Sequence, residues 1–118
     1  MDWKEVFRKG QELALATASE DGEPNSNMVI SLGFVDDKLL IADCQMDTTI
    51  KNLKANKKIS IIGKSDGRYL RAKGTVDIYD SGKYFEECKK LTQKYLAKNA
   101  VVVNIKEVFD LDKLEQII

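Results

Sequence analysis

The sequence predicts a mainly β fold of the α+β class: a small antiparallel β-barrel with peripheral helices. Three observations predict it. Over residues 69–79, Leu70, Ala72, Gly74, Val76 and Ile78 fall on one face and Arg71, Lys73, Thr75 and Asp77 on the other. That two-residue period belongs to an extended strand with one buried face. Other short apolar runs are separated by Asp-Gly and Asp-Asp pairs, which make tight turns between antiparallel neighbours. With one proline, no repeat and no low-complexity run, nothing marks a linker, and residues 1–118 read as a single domain.

In chain order, Asp2 caps a first helix on which Trp3, Val6 and Phe7 make one apolar face, and Gly10 ends it. Trp3 reads as an anchor onto the barrel. Residues 13–19 form a strand, and Asp21-Gly22 centres the turn that follows. Residues 25–35 read as one long strand, with Met28, Ile30, Leu32 and Phe34 on one side and Asn27, Val29 and Ser31 on the other. Met28 is assigned to the core. Asp36-Asp37 turns the chain into a strand over residues 38–43.

Asp47, Thr48 and Thr49 crowd the start of a helix placed near residues 48–56, with Ile50 and Leu53 pointing inward. A side-chain oxygen can cap this start, and the unused N–H groups face outward. With Lys51 one turn inside, it reads either as a phosphate site or as an ordinary connector. Lys51, Lys54, Lys57 and Lys58 form a basic cluster of the kind that is usually a solvated face.

A strand over residues 59–64 and a turn at Ser65-Asp66-Gly67 lead into the long strand, where Gly74 permits a sharp bend. Ser81 caps a helix over residues 82–98 with Tyr84, Phe85, Cys88, Leu91 and Tyr95 as its stripe. Residues 101–105 form a β-branched strand. Val108 and Phe109 then lead into a short amphipathic segment carrying Leu111, Leu114, Ile117 and Ile118.

Nineteen basic and nineteen acidic residues give a formal net charge of zero, so the chain has no general pull on nucleic acid or on a membrane surface. No apolar run approaches the roughly 18 residues of a spanning helix, and no secretion signal is read; a cytoplasmic location is expected. Cys44 and Cys88 are expected to be free thiols. The absence of histidine removes Ser-His and Cys-His catalysis and makes a metal site unexpected. Any chemistry then falls to a cofactor.

Two stretches resemble a known family. Ala16-Thr17, Asp21-Gly22 and Pro24 fit an opening A-T-x-x-x-D-G-x-P, and Lys73-Gly74-Thr75 fits a later strand. Ile41-Ala42-Asp43 followed by Thr49-Ile50-Lys51-Asn52-Leu53-Lys54-Ala55-Asn56 is similar to I-A-D, four variable positions, K-T-x-x-N-L-x-x-N-P. Together they resemble the pyridoxamine 5′-phosphate oxidase-like family of flavin-binding, Greek-key split barrels. Thr48 stands where that form has a phosphate-side lysine, and Lys57 where it has proline.

The resemblance implies a homodimer with flavin mononucleotide (FMN) in each cleft between subunits. It carries cofactor contacts onto Asn27, Met28 and Val29, onto Asp43, Cys44 and Gln45, and onto Thr48, Thr49, Lys51 and Asn52. Lys51 would offset the phosphate charge. Arg71 and Lys73 read by default as solvent-facing strand charges, and either could reach a phosphate on the neighbouring subunit. Physical reasoning agrees that a flavin must lie outside so small a barrel, whose interior side chains fill. The expected function is an FMN-binding oxidoreductase or electron carrier, substrate unread and no catalytic acid or base named. Pyridoxamine phosphate oxidation itself is not expected, because the extra substrate-phosphate groups are missing. The alternative is a non-catalytic module that has lost FMN or binds a deazaflavin or haem, with haem disfavoured by the absence of histidine.

Overall fold

The computed structural model describes residues 2–44, 46–92 and 96–118. Its strands are β1 (Glu12–Ala18), β2 (Pro24–Ile30), β3 (Phe34–Val35), β4 (Lys38–Asp43), β5 (Lys58–Ser65), β6 (Arg68–Tyr79), β7 (Asn99–Asp110) and β8 (Glu115–Gln116). Among the described residues, two α-helices, α1 (Thr48–Ala55) and α2 (Lys83–Leu91), and an N-terminal 3₁₀ turn, Trp3–Phe7, accompany them. The strands are antiparallel in the order β2-β1-β5-β6-β7-β4-β3, with β8 on β7. This is a Greek-key order, because β1 pairs with β5 and β4 with β7 across long connections.

The expected strand over residues 25–35 is two strands with a corner between them. At the corner Ser31 is fully buried. Its hydroxyl donates to the Phe7 carbonyl (2.7 Å) and accepts from the Gly33 N–H (2.9 Å). The bend lets one stretch pair on both sides. Before it, β2 lies on β1. After it, the Leu32 N–H donates to the Leu40 carbonyl (3.0 Å), the Leu40 N–H donates to the Gly33 carbonyl (2.9 Å), and β3 pairs with β4. The two ends of the sheet are thereby joined and the barrel closes.

Leu13, Leu15, Leu39, Ile41, Ile61, Leu70, Val101 and Val103 fill the barrel, and Ile50 and Leu53 of α1 plug one end. Each such fully buried side chain contributes about 1.5–3 kcal/mol of transfer free energy. A smaller cluster lies outside: Leu40, Ala100 and Val102 face Cys88, Phe85 and Leu91 of α2. β4 and β7 are therefore apolar on both faces, which is why residues 100–103 read as an unbroken run.

Asp2 accepts from the Lys4 N–H (3.3 Å) as the expected cap, though of a 3₁₀ turn. Trp3 packs edge-on against Phe7 and Phe34, both at 6.1 Å between centroids. Other expectations are corrected. Met28 is 62% exposed and Ile30 59%, so β2 has the expected period with its faces exchanged. The N-cap of α2 is Gly82, with no side-chain cap from Ser81, and α2 ends at Leu91. The expected helical residue Tyr95 lies outside the described residues. β7 runs on to Asp110, and a turn and β8 replace the amphipathic segment. Asp110 stops β7 by accepting from the Asp112 and Lys113 N–H groups, both at 3.0 Å, which hold its carboxyl below the usual range.

Gly74 sits at a register shift. Lys73 pairs with Glu107 but Gly74 pairs with Ile105, leaving Lys106 as an extra residue in β7. A Cβ on Gly74 would lie 2.9 Å from the Asn104 carbonyl carbon and closer still to its oxygen. Gly67 contrasts with it, at φ +75° but with nothing within 4 Å of where a Cβ would stand.

Gly74→Ala is expected to lower stability by about 3 kcal/mol or more through overpacking against backbone. Gly67→Ala is expected to cost only about 1–2 kcal/mol of left-handed strain. Urea denaturation midpoints separate the two; equal losses would show that the bulge does not require glycine.

Candidate functional site

The residues singled out on β2, β4 and α1 meet at the end of the barrel that α1 covers. The meeting is made by side-chain hydrogen bonds. Thr49 is 3% exposed, and its hydroxyl accepts from Asn25 Nδ2 (3.1 Å) and donates to Asn27 Oδ1 (2.8 Å). This relay explains the exchanged faces of β2. Asn25, Asn27 and Val29 turn toward the helix and core because the two amides find a partner there, and Met28 and Ile30 are left outside. Asn27 Nδ2 has no acceptor among the described residues.

On the next turn of α1, Asn52 is buried and donates from Nδ2 to the Thr17 hydroxyl (3.1 Å), tying α1 to β1. Asn52 thus braces the helix. Asp43, 1% exposed, ends β4 and accepts from the Met46 N–H (2.8 Å) and from Asn99 Nδ2 (2.7 Å). It fixes the entry to α1 against the start of β7. Thr17, Asn25 and Asn99 were missed by sequence reasoning. Asn25 carries a signal, standing two residues before Asn27 on the same strand face; Thr17 and Asn99 have only tertiary partners.

The start of α1 is open. Asp47 is the N-cap residue but makes no capping hydrogen bond, contrary to the expected side-chain cap. Its carboxylate instead pairs with Lys51 at 3.5 Å, both side chains well exposed. Thr48 is exposed as well. The first-turn N–H groups therefore have no side-chain acceptor from the cap. Gln45, also singled out, lies outside the described residues.

Cys44 and Cys88 are free thiols. Burial, reinforced by the Asp43 carboxylate, raises the Cys44 pKa. Burial pushes Cys88 up to about 12, and its Sγ contacts the Ile41 carbonyl at 3.9 Å. Neither offers a thiolate at neutral pH. Among the described residues no three His, Cys, Asp or Glu side chains gather as a metal ion would need, and no helix is long and apolar enough to cross a membrane. The open end of α1 can bind an anion; the side chains around it offer hydrogen-bond donors and no activated nucleophile.

Comparison with known proteins gives the family and the fold. A family model described as pyridoxamine 5′-phosphate oxidase matches residues 2–114. An uncharacterized protein of Methanocaldococcus jannaschii is 35% identical over 106 residues, spanning 82% of this chain and 70% of that protein. HupZ of Group A Streptococcus has the same fold, with a TM-score of 0.85 and 23% identity over 96% of this chain and 94% of that one. An FMN-binding protein from Syntrophomonas wolfei gives 0.75 and 20% identity over 91% and 86%. The heme storage protein HutZ from Vibrio cholerae gives 0.69 and 15% over 91% and 90%, and an F420 reductase gives 0.71 and 19% over 92% and 96%. At these identities the structural likeness is one of fold.

Thr49→Val keeps shape and removes the hydroxyl, stranding the Asn25 and Asn27 amides. It is expected to cost about 1–3 kcal/mol, whereas exposed Thr48→Val should stay within about 0.5 kcal/mol; urea titration compares them. A thiol-reactive chromophore at pH 7 should label Cys44 slowly, faster as pH rises, and Cys88 only after denaturation. Rapid labelling of Cys88 in the folded protein would contradict its burial.

Proposed function

The chain belongs to the pyridoxamine 5′-phosphate oxidase-like family, and from that premise we propose that it binds FMN and serves as a flavin-dependent oxidoreductase or electron carrier, acting as a homodimer. The observation that carries this reading is the open start of α1 beside the Asn27 amide.

The donor set fits the cofactor. Backbone N–H groups at a helix start favour a phosphate. Asn27 accepts from Thr49 at Oδ1, and its Nδ2 would donate to a polar ring edge. Lys51 brings a cation to the same edge in place of the lysine that Thr48 replaces. Met28 and Val29 supply apolar and backbone surface alongside. The roles of Asp43 and Asn52 in this reading are indirect, since their side chains are consumed in holding β4, α1 and β1 together. A bound flavin would supply the hydride and electron transfer. The protein contributes orientation, donors toward developing negative charge and exclusion of water.

The homodimer is supported by an apolar stripe on the outer wall. Met28 and Ile62 flank Ala14 in register, and they are 62% and 43% exposed. With Ile30 beside them, these residues suit burial against a second copy. A concave site between copies would also supply the enclosure that one filled barrel lacks.

The folded protein is expected to take up one FMN per chain, with a visible flavin spectrum that dithionite bleaches, and to show twice the chain mass by light scattering. Thr48→Glu places a carboxylate at the phosphate without disturbing a buried group, unlike a charge at Thr49. It should weaken FMN retention about tenfold with an unchanged thermal midpoint. Folded protein that takes up no FMN, or a Thr48→Glu variant that retains it fully, overturns the proposal.

A further inference from the structure

β6 outruns β5. The ladder between them begins with Lys58 opposite Thr75, and the last bond across that edge runs from the Val76 N–H to the Lys57 carbonyl (2.8 Å). In an antiparallel strand, alternate residues turn both backbone groups to the same edge. The Ile78 N–H and carbonyl therefore point the same way as those of Val76, away from β7, where β5 no longer runs. Among the described residues neither group finds a backbone partner on that edge. Unmet strand-edge groups are a template for whatever can pair with them.

A hollow of about 350 Å³ lies along this edge, between it and the C-terminal end of α1. Leu53, Val76 and Ile78 give it apolar surface. Lys54 and Lys57 line it from the helix side, and Asp77 and Asp80 from the strand side. Asp77 accepts from Asn104 Nδ2 (3.4 Å). Among the described residues, none of the four charged groups forms an ion pair, with one another or elsewhere. Opposite charges thus flank the hollow without closing across it.

We propose that this hollow binds a free α-amino acid with a mid-sized aliphatic side chain. The ligand carboxylate accepts from the Ile78 N–H and the ligand ammonium donates to the Ile78 carbonyl. Two facing residues make the same exchange in an antiparallel hydrogen-bonded pair. Lys54 and Lys57 attract the carboxylate and Asp80 the ammonium, and bonds with an ionised partner are the stronger kind. The aliphatic side chain covers Leu53 and Ile78. The volume lies within the range of small-molecule sites, roughly 300–1,000 Å³. The site lies at the opposite end of α1 from Thr48 and shares no residue with the stripe of Met28, Ile30 and Ile62, so it stands apart from the flavin and dimer readings.

L-leucine is the probe, titrated into the ¹⁵N-labelled full chain with and without saturating FMN and followed by amide shifts. Saturable shifts are expected at Ile78, Asp80 and Lys57 in both conditions. Isopentylamine, which lacks the carboxylate, and 4-methylpentanoate, which lacks the ammonium, should each bind about tenfold more weakly. The double variant Lys54→Gln, Lys57→Gln should lose about tenfold in leucine affinity at an unchanged thermal midpoint. Asp80→Asn alone should give a smaller loss in the same direction if the double variant folds poorly. Three results overturn the proposal: no saturable shift at Ile78 and Asp80, an amine or a carboxylate that binds as tightly as leucine, or unchanged affinity in the charge variants. Flavin retention is read separately by absorbance, so failure here leaves that result standing.

Discussion

A buried hydroxyl holds the barrel shut. Ser31 sits where one stretch of chain must leave β1 and join β4, and a corner inside a closed sheet exposes backbone groups to an apolar interior. At Ser31 each of them is met. The Ser31 N–H donates to the Gln11 carbonyl and its carbonyl accepts from the Gly10 N–H, both at 2.9 Å. The side chain spans from the Phe7 carbonyl to the Gly33 N–H. Each bond lost here would strand a buried polar group at a cost of about 1–3 kcal/mol. The same bonds seat the N-terminal turn, so Phe7 and Val6 reach the core only because the corner forms.

From that closure follows the position of the helix. Once β2 is paired with β1, Asn25 and Asn27 lie half-buried on the face toward α1, which docks by giving them the Thr49 hydroxyl while Ile50 and Leu53 enter the apolar interior. Asn52 secures the next turn to Thr17. The helix is thus attached by buried polar bonds on one side and by apolar burial beneath, and its first turn is left open at the rim. A rigid mounting with an open end is what a binding edge requires, since the donors are then held before any ligand arrives.

The local periods were legible in the sequence. The alternation of β6, the turns at Asp36-Asp37 and Asp66-Gly67, and the inward Ile50 and Leu53 all follow from neighbouring residues, and the structure has each. What was not legible depended on partners distant in the chain. The sense of β2 is set by a threonine more than twenty positions away, which makes two asparagines the inward choice and a methionine the outward one. The corner at Ser31 hides in a stretch whose alternation continues through it. Asp43 reads as a motif residue, yet its buried carboxylate is structural, held by Asn99 from the far end of the sequence. Resemblance pointed to a segment; only tertiary contacts separate the residues in it that brace from those left free.

The double-sided burial of β7 has a consequence for how the sheet finds its alignment. A strand with one dry face and one wet face is penalised at once for slipping by a single residue. In the stretch Ala100-Val101-Val102-Val103 a slip would trade one aliphatic side chain for another, on the barrel side and on the α2 side alike. Hydrophobicity therefore cannot tell the true pairing from its neighbour there, and the choice passes to two polar or steric pins: Asn99 clasping Asp43 at one end, and the single Cβ-free position that tolerates Asn104 farther along. The most greasy part of the protein is kept in step by its least greasy residues.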